Sequence, residues 1–412
     1  MQYSTAIYVE KGSFDIRYKL FTIELMHITH PSWPLNHKWT KKSEFFTSIS
    51  LQSFGFNFLQ IFLPIYILKL GYSFTETCLF FILLNSVRIF GNIFFYSLTR
   101  FGIKLLLALS YVLGIVGIGF LVIQANTTIG IALGMIMMGL ANEIYWNARH
   151  LISCGVFDTK NLGKNVGLSI ILVYITGALS PLLGGYIGEK FGINYVLITS
   201  AIFIVLAIYP LFKSPDIRYA KPKKTNYKFT TKHALAYFAS TFEARTLLIW
   251  PIFLYLLFGS VESVGFIMAA GMAVTILVTK LSGALSDKGS REPLINVGNF
   301  LAGTIGFCRI FTRTLSVAYG INMLMSLAQA IKSPAFLSQF YIHAKKFGAT
   351  RYIRNMQILA IVSSIIFWYL AYTFSLFFDQ STTISIILII SALLTPLQSL
   401  IMSPLSTRIR PR

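Results

Sequence analysis

Charged residues are scarce in this sequence, and acidic residues are the scarcest. The chain has 14 Asp and Glu against 35 Lys and Arg in 412 residues, so 12% of it is charged while 55% is hydrophobic. A soluble globular chain has about a quarter of its residues charged. The composition therefore excludes a water-soluble fold and favours lipid as the solvent.

Cysteines and catalytic motifs are also rare. Cys78, Cys154 and Cys308 are far apart and have no CxxC spacing, which supports neither a disulfide framework nor a metal site. The sequence contains no HExxH, GxSxG or Walker A motif. We therefore expect no enzyme activity, no cofactor and no bound metal.

Long apolar runs dominate the rest of the chain. A membrane helix needs roughly 20 apolar residues, and these runs are continuous rather than alternating, which excludes transmembrane strands. We predict an all-α polytopic membrane protein with twelve spans. They cover residues 45–70, 75–98, 104–124, 128–149, 166–187, 193–213, 233–258, 264–284, 294–312, 315–337, 353–377 and 383–404.

The basic residues predict the orientation. If both termini are cytoplasmic, 27 of the 35 basic residues fall in segments on the cytoplasmic side. Only Lys69, Lys190, Arg309 and Arg313 then lie at the outer surface, so the pattern predicts an N-in/C-in protein of the cell membrane. The net charge of +21 then reflects orientation and contact with membrane lipid, and predicts no nucleic-acid partner. We expect a monomer.

A weak internal repeat divides the spans six and six. Leu63-Pro64-Ile65-Tyr66 resembles Trp250-Pro251-Ile252-Phe253, 187 residues further on. We predict two pseudo-symmetric six-helix bundles joined by a basic linker. The predicted boundaries are a cytoplasmic extension at 1–44, bundles at 45–213 and 233–404, the linker at 214–232, and a basic cytoplasmic tail at 405–412.

The loop after the second span of each half suggests a family. The segment 283–291 reads Gly-Ala-Leu-Ser-Asp-Lys-Gly-Ser-Arg, while the earlier copy keeps Arg100, Gly102 and Lys104 but has Thr99 in place of an acid. These residues resemble the G-x-x-x-D-(R/K)-x-G-R motif of the major facilitator superfamily, over residues 45–404. The resemblance implies transport by alternating access and a charged cytoplasmic latch. Its candidate members are Asp287, Lys288, Arg291 and Arg100, with Asp287 the principal one.

A second motif lies in the fifth span. The segment 177–185 resembles the glycine- and proline-rich signature of antiporters, which favours efflux. Small residues allow close helix approach and proline bends a helix, so we predict packing and hinge roles there. The candidates are Gly177, Pro181, Gly184 and Gly185, together with Pro64 and Pro251 in the first and seventh spans. Ordinary close packing is the alternative interpretation.

Ionisable residues inside a membrane span are functional candidates because they are costly to bury. Glu243 lies near the middle of the seventh span, with Arg88 at similar depth and Arg245 two residues further on. We expect a carboxylate and a guanidinium to pair across a central cavity. Glu143 is the second candidate carboxylate and is expected in the cytoplasmic third of the fourth span. Structural ion pairs are the alternative.

Polar residues at helical spacing add to these candidates. Ser53, Asn57 and Gln60 share one face of the first span, and Asn322, Ser326, Gln329 and Ser333 share one face of the tenth. The resemblance implies that spans one, four, seven and ten line the central cavity. We therefore place Asn57, Gln60, Asn322 and Gln329 on the solute pathway, with helix-to-helix hydrogen bonding as the alternative.

The function predicted from these observations is secondary active transport of a small organic solute. We expect proton-coupled efflux, with the proton carried by Glu243 or otherwise by Glu143. An uptake symporter or uniporter of the same fold is the first alternative. A degenerate carrier that acts as a membrane sensor or scaffold is the second.

Overall fold

Twelve α-helices make up most of the described part of this chain. The computed structural model describes residues 41–156, 162–214, 227–228, 230–289, 291–403 and 406–407. The helices are α1 Lys41–Lys69, α2 Phe74–Leu98, α3 Ile103–Ile123, α4 Thr128–Val156, α5 Leu162–Lys190, α6 Ile193–Lys213, α7 Thr231–Phe258, α8 Val261–Asp287, α9 Arg291–Cys308, α10 Leu315–Phe347, α11 Ala349–Ser375 and α12 Gln380–Leu394. Short 3₁₀ segments follow α2, α9 and α12, at Thr99–Phe101, Arg309–Phe311 and Thr395–Met402.

Ten of these helices, as far as the described residues extend, are long and apolar enough to cross a membrane. The two others are α5, part of whose side chains lie outside the description, and α10, whose apolar run is interrupted by Asn322, Gln329 and Lys332. Large apolar side chains such as Phe90, Phe94 and Leu277 are exposed on the outer surface. Soluble monomers rarely expose contiguous apolar surface, so this is a multi-pass membrane protein. The count of twelve spans and the N-in/C-in orientation stay predictions.

Helix boundaries follow local capping signals. Ser73 accepts a hydrogen bond from the Glu76 N–H, and the Glu76 side chain accepts one from the Ser73 N–H, so the two form a capping box at the start of α2. Thr314 similarly caps α10. Gly259 ends α7 with φ of 69°, a left-handed conformation that favours glycine.

Some boundaries differ from the predicted ones. Helix α1 begins at Lys41, inside the predicted extension, whose residues 1–40 lie outside the description. Helices α4 and α10 continue to Val156 and Phe347, well past the predicted ends at 149 and 337. They extend because an α-helix that has left the apolar layer satisfies its own backbone hydrogen bonds and can continue with polar side chains.

A short antiparallel pairing joins the predicted linker to the tail. Strand β1, Tyr227–Lys228, pairs with strand β2, Ser406–Thr407. This contact was not predicted from the sequence. The other residues of the predicted linker between 215 and 229 lie outside the description.

Packed helix pairs include both antiparallel and parallel neighbours. The longest contact is between α5 and α8, and α2 contacts α11 in the same way. Within the first six helices α1 packs on α6 and α4 packs on both α2 and α3, while α10 contacts α8 and α9 among the last six. Contacts between helices of the predicted halves therefore run mainly along the α5–α8 and α2–α11 pairs.

Candidate functional site

A buried ion pair joins the middles of α2 and α4. Arg88 is the fifteenth of the 25 residues of α2, and Glu143 is the sixteenth of the 29 residues of α4. The Arg88 Nη2 atom lies 2.9 Å from Glu143 Oε2, and the Arg88 Nε atom donates to the same oxygen at 3.1 Å. Their side chains are 3% and 0% exposed. Both charges are therefore held away from solvent in the centre of the bundle.

The second carboxylate oxygen of Glu143 also accepts hydrogen bonds. Asn92 Nδ2 donates to Glu143 Oε1 at 3.0 Å, and Asn147 Nδ2 donates to it at 2.8 Å. Gly91 permits this approach, because a Cβ atom on it would lie 3.0 Å from the Cβ of Glu143. Helix α4 thus comes close to α2, and Glu143 has a full set of hydrogen-bond donors.

A second buried pair joins α7 and α10. Glu243 Oε2 lies 2.5 Å from Lys332 Nζ, and the side chains are 7% and 4% exposed. Gln329 Nε2 donates to Glu243 Oε1 at 2.8 Å, while Gln398 Nε2 donates to Oε2 at 2.6 Å. Lys332 Nζ also donates to Gln398 Oε1 at 3.2 Å. The network connects α7, α10 and the 3₁₀ segment after α12.

The expected pairing of Glu243 with an arginine does not occur. Arg88 pairs with Glu143 and Glu243 pairs with Lys332, so each pair stays among neighbouring helices of the first six or the last six. Glu143 is the sixteenth residue of α4, a helix that continues past the predicted end of the span to Val156, and its depth in the membrane stays a prediction. The depth of a residue in its predicted span did not identify the partner of each carboxylate, because the partner depends on which helices are adjacent.

Arg245 of α7, in the last six helices, lies within electrostatic range of the first ion pair. It interacts electrostatically with Arg88, Tyr237 and Glu143. No hydrogen bond or ion pair links Arg245 to another described residue, and its Nε atom is buried without a partner. We call Arg88, Glu143, Tyr237 and Arg245 the central site.

The polar residues that were predicted to share one face of the first and tenth spans have different roles. Asn322 Nδ2 donates to the Ile267 backbone oxygen at 2.7 Å, so it joins α10 to α8, whereas Gln329 belongs to the Glu243 network. Asn57 is half-buried and faces Gly177 of α5, where a Cβ atom would collide with its Nδ2. Gln60 is half-buried on α1, three residues beyond Asn57.

The first and last six helices meet at both ends of the bundle. At the end where α5 begins, which we call the basic end, His150 Nδ1 lies 3.1 Å from the Tyr341 hydroxyl and Arg354 lies over the Tyr96 ring. At the opposite end, Thr75 and Ser375 are joined by a 3.0 Å hydrogen bond. Lys69 also lies over the Tyr255 ring there, 5.8 Å from its centroid. These contacts flank the central site on both sides.

Of the predicted latch residues, Asp287 makes the contact between helices. Its Oδ1 atom accepts a hydrogen bond from the Gly163 N–H at 2.6 Å. Arg100 lies over Phe101, Lys288 is exposed, and the Arg291 Nε atom is buried without a hydrogen-bond partner. The contact at this loop is therefore between a carboxylate and a helix N-terminus.

The predicted packing and hinge residues lie where helices approach closely. Gly184 faces Phe58 and Phe62 of α1, and Gly185 faces Glu262 and Gly265 of α8. Pro181 lies on the same stretch, and its backbone oxygen points at Gly265. Helices α1 and α7 continue through Pro64 and Pro251.

Sequence reasoning missed several members of these networks. Lys332 was visible as a charge inside a predicted span and could have been selected by the rule that selected Arg88. Arg309 was predicted at or near the outer side of the membrane and was not selected as a site residue, but its side chain is 2% exposed, donates to Thr246 at 3.4 Å and stacks on Trp250. Gln398 could not be selected from the sequence, because a single amide side chain near the end of a span is common. Among the described residues, no group of three or more His, Cys, Asp or Glu could hold a metal ion.

Solved structures with a similar fold are transporters. The crystal structure of the human organic anion transporter MFSD10 (TETRAN) matches with a TM-score of 0.61 and 10% identity, covering 86% of this chain and 98% of that one. The structure of the nucleoside transporter NupG matches with a TM-score of 0.59 and 12% identity, covering 88% and 98%. A sequence search of curated proteins gave no match. These two proteins therefore share the overall fold of this chain.

The family follows from the sequence itself. The sequence model described as Major Facilitator Superfamily matches residues 45–350, which is well over half of the chain. The chain belongs to the Major Facilitator Superfamily, and the resemblance drawn from the loop motifs is confirmed. Family and fold together indicate a membrane transporter rather than an enzyme.

Proposed function

We propose that this protein is a secondary active transporter that moves a small organic solute by alternating access, coupled to protons. The observation that carries the proposal is the central site, where Arg245 of the last six helices lies within electrostatic range of the buried Arg88–Glu143 pair of the first six. Ionisable groups at mid-membrane depth mark solute and proton pathways. The flanking contacts at both ends supply the barriers that must open in turn.

Glu243 is our proposed proton carrier. Its carboxylate neutralises Lys332 in a buried site, and protonation would leave that ammonium without its counter-ion. Because an uncompensated buried charge is costly, proton binding would favour rearrangement of α7 against α10. That links protonation to helix movement. Glu143 is the alternative carrier, since its carboxylate neutralises Arg88 in the same manner.

The test uses purified protein in proteoliposomes with an imposed pH gradient. A panel of organic anions, neutral solutes and cations is first screened for thermal stabilisation, and stabilising solutes are then used for flux. Glu243→Gln should abolish gradient-driven accumulation while solute exchange without a gradient continues. Glu44→Gln, in the first turn of α1, is the matched control and should accumulate solute normally.

A folding defect must be separated from a coupling defect. Glu243→Gln leaves Lys332 uncompensated, so the double variant Glu243→Gln with Lys332→Met restores neutrality in the buried site. If both variants are folded and still accumulate solute under the gradient, Glu243 is not the carrier. The same experiment on Glu143→Gln then tests the alternative.

Efflux is the proposed direction, supported by the antiporter-like segment 177–185 and its tight packing on α1 and α8. Exchange of solute against protons predicts solute movement opposite to the proton gradient. Movement with the gradient would support an uptake symporter instead. A folded protein that binds solute but moves none, with or without a gradient, would support the sensor or scaffold alternative.

A further inference from the structure

Three arginines in the described part of the chain have a buried Nε atom without a hydrogen-bond partner, and one of them, Arg291, is the first residue of α9. The other two are Arg245 and Arg309. Arg309 still donates to Thr246 and stacks on Trp250, so it is held within α7 and the turn after α9. Arg245 has neither kind of contact among the described residues, although it lies at the fifteenth position of the 28-residue helix α7.

The neighbouring carboxylates cannot supply the missing charge. Glu143 accepts two bonds from Arg88 and one each from Asn92 and Asn147. Glu243 is likewise occupied by Lys332, Gln329 and Gln398. Each carboxylate already neutralises one cation, so the positive charge of Arg245 is in excess.

The geometry of the central site suits an external anion. A guanidinium presents a planar set of N–H donors that matches the two oxygens of a carboxylate or other oxyanion. Arg245 is half-buried although its Nε is enclosed, so part of its side chain stays accessible to a ligand. Arg88 is neutralised by Glu143, and Tyr237 of α7 is close enough to both arginines to interact electrostatically.

We propose that Arg245 binds the anionic group of the transported solute, which is therefore an organic anion such as a carboxylate. The inference rests on the proposed function and names its substrate class. The bound anion compensates the charge that the protein leaves open, and it bridges α7 to the Arg88–Glu143 pair. Solute binding thus draws together the helices that separate when the site opens.

The test uses two matched sets of solutes that differ in charge. They are benzoate, benzamide and benzylamine, and hexanoate, hexanamide and hexylamine. Thermal stabilisation of the purified full-length protein and uptake into proteoliposomes are measured for each. The anionic member of each set should stabilise the protein saturably and should be transported, while its neutral and cationic partners should have little effect.

Variants at Arg245 separate binding from folding. Arg245→Gln should raise the apparent Kd for benzoate by about tenfold, as expected when a charge-assisted hydrogen-bonding group is lost. Arg245→Lys keeps the charge and should recover part of the affinity. Without solute, Arg245→Gln should melt no lower than the parent, because it removes an uncompensated buried charge. Arg351→Gln, an exposed arginine in the first turn of α11, is the matched control.

The possible outcomes distinguish anion binding at Arg245 from the proposed transport function. Flux of the neutral or cationic solutes without any preference for the anion would overturn the inference and leave transport standing. Saturable benzoate binding at Arg245 without flux would support the binding site and contradict the transport function. Undiminished benzoate binding by Arg245→Gln, or a parent that responds to none of the six solutes, would contradict the assignment of Arg245.

Discussion

The Asp287 carboxylate accepts a hydrogen bond from the backbone N–H of Gly163 at 2.6 Å, joining the end of α8 to the first turn of α5. The opposite end of the same helix pair has the reverse arrangement. Glu189, near the end of α5, accepts from the backbone N–H groups of Val261 and Glu262 at the start of α8, at 2.9 and 3.4 Å. Each helix thus supplies a carboxylate to the N-terminus of the other. Such termini favour negative charge, because their first N–H groups lack partners within the helix.

Replacement of Asp287 should loosen the basic end of the α5–α8 pair. Asp287→Ala removes the acceptor for Gly163, a loss of about 1 to 2 kcal/mol by analogy with N-cap deletions. Hydrogen–deuterium exchange should accelerate in the first turn of α5. Asp379→Ala is the control, since Asp379 caps its own helix α12 through Thr382 and should alter exchange only there. Unchanged exchange in α5 would show that Asp287 does not hold this end closed.

Replacement of Glu189 should act at the opposite end. Glu189 is exposed, so its charge is more strongly screened than that of Asp287. Glu189→Ala should therefore accelerate exchange at the start of α8 by a smaller factor and leave the start of α5 unaffected. Asp287→Ala is the reciprocal control. Acceleration at both ends from either variant would indicate that the two helices open as a unit.

The sequence predicted the helices well because their signal is local. Continuous apolar runs located all twelve helices, and the loop motif at 283–291 selected Asp287 as the principal latch candidate. The ends of α4 and α10 were missed because a helix continues past its apolar stretch into residues such as Lys345 and Lys346. An apolar run shows which part of a helix is suited to the membrane. It does not show how far the hydrogen-bonded helix continues beyond that part.

The partners of the buried charges could not be derived in the same way. Glu243 had two arginines at suitable depth, yet it pairs with Lys332, because α10 is the helix that brings a cation to that face of α7. Glu189 carried no signal at all, since its partners are backbone groups 72 and 73 positions away. Such contacts depend on helix adjacency and rotation, which a single sequence does not encode in its spacing.

The Arg88–Glu143 pair should show strong coupling in a double-mutant cycle. Arg88→Met or Glu143→Met alone leaves one buried charge without its partner and should cost about 3 to 5 kcal/mol. The double variant removes both charges and should recover most of that loss, because apolar side chains suit the interior. Stability is measured by unfolding of the detergent-solubilised protein.

Arg88→Met combined with the distant Glu44→Gln is the control cycle and should be additive. Additive losses in the Arg88–Glu143 cycle would contradict an ion pair in the folded state. A double variant that is stable but inactive in transport would separate the role of the pair in the pathway from its role in folding.

Close approach of α5 and α8 should make Gly265 intolerant of any side chain. A Cβ atom at this position would collide with the Pro181 backbone oxygen and lie 2.9 Å from the Gly185 Cα, and backbone atoms cannot rotate away. Gly265→Ala should therefore lower stability by about 1 to 3 kcal/mol, as overpacking does in a filled core, and should impair flux because it separates α5 from α8.

Gly119→Ala on α3 is the matched control, since no atom lies within 4 Å of its added Cβ. Alanine has the higher helix propensity, so this variant should melt at or above the parent temperature. Equal melting temperatures for the two variants would mean that α5 and α8 do not pack this closely.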